Sequence, residues 1–494
     1  MGAVSPPSTT RRAMLTVALW AGFWVLALGL AGGLASIPLM QMNYGRGLDL
    51  GGFLAGVGAL VVLWALRPRD WYWVKDSAKQ RSEPLGPEEF PQLHALLNEV
   101  ARKVGTRAPA RVLLSDSATA FIFMERKWMS LRREPVVGIG LPLFALLSRD
   151  ELAAVLAHEY GHHVGGDLRL GPWVYRTRLA IGSAVESLDD SAFFLDVPFR
   201  AYGKLFLRVS ASVSRQQELA ADALSSATCG SASSARALRK VHAYGPAWRV
   251  YLDEDVVPLI EKSVRMPVLE GFRRFLQEAR RRESTEKALA EAEQQEPSPW
   301  DSHPPLDARL QALGAKGSAD IQPGPGCLEL LGGEQQAEDA WFARFTRGEL
   351  HTMPWEDIAP KVLLPRMTRQ LAETSLNPRA TPPEALPQLL AEGGKLWDRL
   401  RPTGLDLLSP EAKRQRAKVL LGDWLATSLE LRGFRPELRP GTHLRFFREN
   451  EEVEPLDMVE GVATGQFPVD DYMAWCQSLG PPNPEEEKPV IPTG

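Results

Sequence analysis

Cysteine is scarce in this chain: there are three in 494 residues, at Cys229, Cys327 and Cys476. They are too few and too scattered for a disulfide framework or a cysteine zinc knuckle, and they fit a reducing compartment. A basic excess is missing too. Lys and Arg number 57 against 61 Asp and Glu, a net charge of −4, so no global positive field exists to hold nucleic acid. The mean hydropathy of −0.18 excludes a protein that spans membranes along its whole length. At 44% hydrophobic and 24% charged residues the composition is globular, which excludes wholesale disorder. What is present is an asymmetry, because nearly all the strongly apolar sequence lies in the first 66 residues.

Ala13 to Gly45 carries no charged residue, and its core, Met14–Met40, is dense in Leu, Val, Ala and Trp. About 20 residues suffice to cross the hydrocarbon, so this run is long enough. A second uncharged run, Leu50–Leu66, sits at the short end of that range, and the link Asn43–Asp49 is turn-rich. The pair reads as a transmembrane helical hairpin within an N-terminal segment 1–83. A secretory or twin-arginine signal fits less well, because the apolar region is long and a second run follows directly. Arg11 and Arg12 precede the first run, Arg46 alone lies between, and Arg67, Arg69, Lys75, Lys79 and Arg81 follow. This bias places both ends, and the rest of the chain, in the cytoplasm. Trp64, Trp71 and Trp73 would mark the exit interface.

Residues 87–111 contain an amphipathic helix with Leu93, Leu96, Leu97 and Val100 as its apolar stripe and Gly105 as its stop. Short β-like runs follow at Ala110–Leu114, Ala118–Met124 and Pro135–Ile139, with a basic turn at Arg126–Arg133. Helix dominates from Leu141. Arg281–Pro305 is charged, then proline-rich, and reads as a linker or mobile loop. The composition resets around Gly324–Gly326. Beyond it Trp341, Trp355, Trp397, Trp424 and Trp475 are enough to pack a further domain, 324–480, before a proline- and glutamate-rich tail, 481–494, expected to be disordered.

The chemistry concentrates at residues 148–167. Ser148 and Glu151 form a capping box that starts a helix, and Gly165 and Gly166 end it. Inside lies His158-Glu159-Tyr-Gly-His162. Histidines four apart share one helix face and can share one zinc ion, while Glu159, about 100° round the helix, can reach a metal-activated water without being a ligand. His163 lies off that face. A third ligand is expected in Ser214–Asp222, where Glu218 and Asp222 again stand four apart. Like charges so placed weaken a bare helix, and a nearby dication reverses the sign. Glu218 would complete the ligand set, leaving a fourth position for water, and Asp222 would fix a ligand histidine through its second nitrogen. Ala220, Ala221 and Ala223 are small enough for close helix packing.

These two motifs, in this order after a membrane hairpin, resemble the integral-membrane zinc metallopeptidases typified by the heat-shock protease HtpX and the CAAX prenyl endopeptidase. The similarity covers roughly residues 85–312. The run Gly140–Leu152 resembles the family's approach to its active-site helix, and His303-Pro304 with Arg309 resembles a downstream element that nears the metal. The resemblance implies a zincin-like catalytic domain over 84–315 with a small β-sheet; with the two-helix hairpin and a helical C-terminal domain, which has no recognised counterpart in the family, the expected fold is α+β and mainly helical. It implies one zinc ion held by His158, His162 and Glu218, Glu159 as general base, and His303 and Arg309 as contacts to substrate or the developing oxyanion. It also implies an integral protein of the bacterial inner membrane that hydrolyses peptide bonds of polypeptide substrates, membrane or misfolded proteins among them. His303 can equally be a loop histidine before prolines.

Two departures stand out. Family members often carry Asn-Ala-Phe on the strand by the cleft, where this chain has Thr119-Ala120-Phe121. Ala120 and Phe121 stay candidates to line a substrate added as a strand along the edge at Ala118–Phe123. Many relatives also have further spans between the zinc motifs, where this chain places Arg200, Lys204 and Arg208 every four residues beside Phe199, Leu205 and Phe206. That pattern is an amphipathic helix whose basic stripe faces either an anionic leaflet or plain solvent. A different class of function is a membrane-tethered scaffold that binds partners through the C-terminal domain. Neither substrate identity nor oligomeric state is legible.

Overall fold

The structure is a computed structural model. It describes residues 9–45, 47–65, 84–126, 133–164, 196–298, 301–315, 321–322, 324–343, 349–372, 374, 376–400 and 408–483. The side chains of Arg11, Arg12 and Trp64, Arg46, the basic residues and tryptophans of 66–83, the turn 127–132, Gly165–Gly166, residues 168–195 and the tail beyond Asn483 lie outside the described residues. Packing divides the chain into two compact units, Met1–Arg249 with Ser284–Thr346, and Val250–Glu283 with Arg347–Gly494. The boundaries expected from composition differ from these in where 250–283 and 324–346 are assigned.

In the first unit, α1 (Thr9–Asn43) and α2 (Leu50–Ala65) pack against each other. Gln41 Nε2 donates to Asp49 Oδ1 at 2.8 Å, and Asp49 in turn caps α2 by accepting from the Gly52 amide at 2.7 Å. Pro38 lies 3.6 Å from where a Gly56 side chain would begin, so the two helices run antiparallel. Among the described residues one helix, over Val17–Asn43, is long and apolar enough to cross a membrane; the apolar part of α2, Leu50–Leu63, is shorter. Phe23, Ala27, Ala31 and Val62 are buried between them, while Val25 and Leu28 stay 73% and 56% exposed.

The amphipathic helix is α3 (Pro91–Val104). It buries Leu93, Leu96, Leu97 and Val100, and Gly105 closes it at φ 81°, a left-handed conformation that favours glycine. Three strands follow: β1 (Arg111–Ser115), β2 (Ala120–Arg126) and β3 (Arg133–Gly140). The sheet order is β1-β3-β2, with β1 parallel and β2 antiparallel to β3, so β2 is an edge strand. Val112, Leu114, Ile122, Val137 and Ile139 are buried. Next come α4 (Leu141–Leu146), α5 (Arg149–Val164), α6 (Asp196–Cys229), α7 (Ser231–Tyr251) and α8 (Leu306–Ala312). The backbone at Gly324–Cys327 is tied to α4 by the bonds Gly324 N to Leu146 O and Cys327 N to Phe144 O.

One expectation is corrected. Arg281–Pro305 is not a linker throughout, because a helix runs from Ala279 to Gln294. Its Ala, Glu, Lys and Arg residues are strong helix formers. Thr285 is buried, and Arg239 of α7 pairs with Glu293 at 3.1 Å.

The second unit is built on α9 (Pro410–Glu430), whose N-cap Ser409 accepts from the Ala412 amide. Leu421, Trp424, Leu425 and Leu429 form its buried face, with Phe446, Val459 and Tyr472 in the same core. Strands β4 (Arg435–Glu437), β5 (Arg445–Arg448) and β6 (Glu451–Val453) make an antiparallel sheet beside them. Trp355 is buried in this unit and donates to Pro267 O, and Trp397 and Trp475 are partly buried against the core. Trp341 is also buried, but in the first unit. All three cysteines are free thiols.

Candidate metal centre

The helix α5 is started by its own side chains. Ser148 N donates to Glu151 Oε2 at 3.0 Å, and Glu151 N donates to Ser148 Oγ at 3.4 Å, the reciprocal pattern of a capping box. Glu151 is buried, so its charge needs partners. Lys240 Nζ, also buried, lies 2.8 Å away and Arg236 Nε 3.0 Å away, both on α7. Burial alone would raise the Glu151 carboxyl, but Lys240, the Ser148 amide and Arg236 outweigh it and hold it below the ordinary range. This buried ion network locks the first turn of α5 onto α7.

The other face of α5 meets α6 at short range. A side chain on Gly161 would meet Ala221 Cα at 3.0 Å and Ala221 Cβ at 3.2 Å, so the glycine sets the approach distance of the two helices. Ser225 Oγ of α6 donates to Ala154 O at 2.7 Å and pins the same interface. Of the three alanines expected to pack there, Ala221 does so. Ala220 and Ala223 are exposed, one position off the contact face.

This packing brings together residues from two separate stretches of sequence. His158 Nε2 and His162 Nε2 are 3.1 Å apart. Glu218 Oε2 is 3.6 Å from His158 Nε2, and Glu218 Oε1 is 3.5 Å from His162 Nε2. Three ligands bound at about 2.0–2.1 Å in a tetrahedron stand about 3.3 Å from one another. The two Glu218 distances end on different carboxylate oxygens, so the three side chains converge within reach of one ion, and their chemistry, two imidazoles and a carboxylate, suits a zinc-like ion. His163 is half-buried and is not one of the converging donors.

Around the triangle sits a ring of partners. Asp222 Oδ1 lies 3.0 Å from His158 Nδ1, although that nitrogen is not aligned for a full hydrogen bond. Asp222 is itself gripped by Arg309 of α8, with Nε to Oδ2 at 2.8 Å and Nη2 to Oδ1 at 2.7 Å. Arg309 is buried and also reaches Glu218 Oε2 at 3.4 Å. His303 is exposed and places Nδ1 3.2 Å from Glu218 Oε1. Burial pushes the His158 imidazole down, but Asp222 and Glu218 outweigh it and raise it to about 9. Burial would raise Glu218, yet His158, His303 and Arg309 hold it far below the usual carboxylate range. Glu159 goes the other way: burial raises it, and His158 and His162 offset only part of the rise.

The strand residues lie nearby in the same unit, with α5 packed on β2. Ala120 turns a buried methyl inward and pairs with Ile139, while Phe121 is half-buried with its ring over Gly138. Thr119 takes the place of the family's asparagine, and its carbonyl accepts from the Gly140 amide. Sequence reasoning missed Lys240, Arg236, Gly161 and Ser225. Arg236 and Lys240 stand four apart on one helix, as a solvated basic face also would, and only the fold reveals that Glu151 lies beneath them.

Comparison with known proteins adds four findings. Residues 87–316 match the family model described as Peptidase family M48. A protein named Protease HtpX homolog from Persephonella marina is 28% identical over 193 residues, which are 34% of this chain and 64% of that protein. Protease HtpX from Cellvibrio japonicus is 28% identical over 233 residues, covering 44% of this chain and 68% of its own length. The crystal structure of S. mikatae Ste24p is similar over 60% of this chain and 67% of that one, at 17% identity and a TM-score of 0.26.

Proposed function

We propose that this chain, which carries a peptidase family M48 domain over residues 87–316, is a membrane-anchored zinc-dependent endopeptidase. The observation that supports this most is the convergence of His158, His162 and Glu218, whose imidazole Nε2 atoms lie 3.1 Å apart and 3.5–3.6 Å from the two carboxylate oxygens, within reach of one ion. Their imidazole Nε2 atoms and carboxylate would hold zinc. When bound, zinc supplies a Lewis acid that lowers the pKa of water and polarises a carbonyl.

The chain's own residues then have separate tasks. Glu159, raised by burial, accepts the proton of the attacking water at its carboxylate and passes it to the leaving amine. Asp222 restrains the His158 ring, and Arg309 restrains Asp222 with two parallel bonds, so Arg309 positions the centre through Asp222. His303, exposed beside Glu218, contacts the substrate or its developing oxyanion. The free edge of β2 at Ala120 and Phe121 offers backbone groups to a polypeptide bound as an added strand. The substrate class we infer is membrane or misfolded protein, presented to a catalytic domain in the cytoplasm and anchored in the inner membrane of a bacterium by α1 and α2. The basic residues flanking the apolar runs support that orientation.

The test compares membrane-proteome cleavage products between cells carrying the wild type and cells carrying Glu159→Gln. Products present with the wild type and lost with the variant are expected. Identical product sets with equal zinc content in the two proteins would overturn the proposal.

A further inference from the structure

The first half of α6 has no task in the catalytic reading. Gly203, Phe206, Ser210 and Val213, three or four residues apart, are buried, as is Ala211. The opposite stripe is exposed: Arg200, Lys204, Leu205 and Arg208, with Leu205 half open to its surroundings at 50%. Cations four residues apart on a helix repel one another. Lys204 and Arg208 have no ion pair among the described residues that would relieve this. Three cations in one row suit an anionic surface better than a neutral one.

The packing of the buried side says where that surface lies. Tyr202 donates its hydroxyl to the Leu19 carbonyl of α1, and its ring is 6.3 Å from that of Phe23. Phe206 is buried in the cluster of Phe23, Ala27, Ala31 and Val62. Leu19 stands six residues into the uncharged stretch of α1, which begins at Ala13, after Arg11 and Arg12. Arg200, Lys204 and Arg208 each stand two residues from Tyr202 or Phe206, which puts them near the level where α1 enters the apolar phase. A tyrosine belongs at that depth, and so do the phosphates of lipid headgroups. Farther along α1, Val25 and Leu28 are exposed apolar residues suited to lipid.

We propose that Arg200, Lys204 and Arg208, with Leu205 inserted beside them, form a binding surface for the phosphate headgroups of anionic lipids in the leaflet where α1 enters the bilayer. This rests on the reading of α1 and α2 as membrane-embedded. The consequence reaches the metal centre, because the same unbroken 34-residue helix carries Glu218 and Asp222. Lipid bound at its first half fixes the helix that supplies the third ligand.

The experiment uses the full chain in nanodiscs of phosphatidylcholine alone or mixed with phosphatidylglycerol. Lipid retained after partial delipidation is read by native mass spectrometry, and the unfolding midpoint is read in parallel. The wild type should retain phosphatidylglycerol several-fold over phosphatidylcholine, with a preference that falls as salt rises. It should also unfold at a higher temperature in the anionic discs. Arg200→Gln/Lys204→Gln/Arg208→Gln should lose both differences while keeping its zinc and its midpoint in neutral discs. Single Lys204→Gln and Arg208→Gln variants, each expected to lose part of the preference, keep the test open if the triple variant does not fold. No headgroup preference in the wild type overturns the proposal, as does a preference the variants leave intact or one that inorganic phosphate abolishes at equal concentration. Recovery of the protein from cells without detergent would overturn the membrane reading as well; embedding without lipid preference overturns the stripe alone.

Discussion

Among the described residues two clusters bring histidine and carboxylate side chains together, and they differ in how their donor atoms are held. In the first unit, His158, His162 and Glu218 turn three donors toward one point, and the nearby Arg309 spends its two shortest bonds on Asp222. In the second unit, His443, Glu454 and Asp457 are just as close together, but the protein's own cations occupy them. His443 Nδ1 is 2.5 Å from Asp457, Arg280 is 3.3 Å from Asp457, and Arg445 Nε is 2.8 Å from Glu454. His443 is also exposed. The difference teaches that proximity of ligating residue types does not define a metal centre. What separates the two clusters is the scaffold: Gly161, Ala221 and Ser225 fix the two helices that carry the first, whereas the second includes an exposed histidine.

The sharpest way to break this contrast is to remove the base from one cluster and a carboxylate from the other. Glu159→Gln should lower the rate of peptide hydrolysis by about 10²–10⁴-fold, the usual worth of a general base. Glu454→Gln should leave hydrolysis as it is. A steady-state assay on a casein-like substrate decides between them.

A second test removes the scaffold rather than the chemistry. Lys240→Met leaves Glu151 buried with Arg236 alone, and should cost about 3 kcal/mol of stability in the first unit. Denaturant unfolding followed by far-UV circular dichroism measures it. Gly161→Ala is subtler. The added methyl meets the Ala221 backbone, so α5 and α6 must part slightly, at a cost of about 1–3 kcal/mol. Zinc titration of the apo-protein should show weaker binding for this variant, because the ligand triangle spans those two helices.

The smallest expected effect belongs to the second unit. Asp255 has its carboxyl pushed up to about 7 by burial, against the opposing pull of the Gly441 amide and Arg281. The folded protein therefore keeps a proton there that the unfolded chain has released by about pH 4. The resulting stability is fully present below that pH and is lost as pH rises through 7. Asp255→Asn should match the wild type near pH 4 and be more stable at pH 8, by on the order of 2 kcal/mol. Thermal unfolding at the two pH values checks the sign.

Much of the catalytic unit was legible because its signals are local. The stripe of α3, the stop at Gly105, the capping box at Ser148 and Glu151, and the three short strands are each written within a few residues. The candidate donors and their neighbour Asp222 were legible for a related reason: His158 with His162, and Glu218 with Asp222, stand at helical spacing. What stayed hidden depends on distant partners. Lys240 looks like a surface lysine until Glu151 is known to lie under it. Arg309, expected to touch substrate or oxyanion, proves to be buried and bonded to Asp222. The helix over Ala279–Gln294 was hidden because its charged composition resembles that of a linker, and burial of Thr285 is what distinguishes it.

The measurement that bears most directly on the central claim is metal content by mass spectrometry for three full-length proteins: wild type, Glu218→Gln and Asp457→Asn. The account predicts one zinc per chain in the wild type, little or none in Glu218→Gln, and one in Asp457→Asn. Zinc retained in Glu218→Gln but lost in Asp457→Asn would place the ion in the other unit and contradict it.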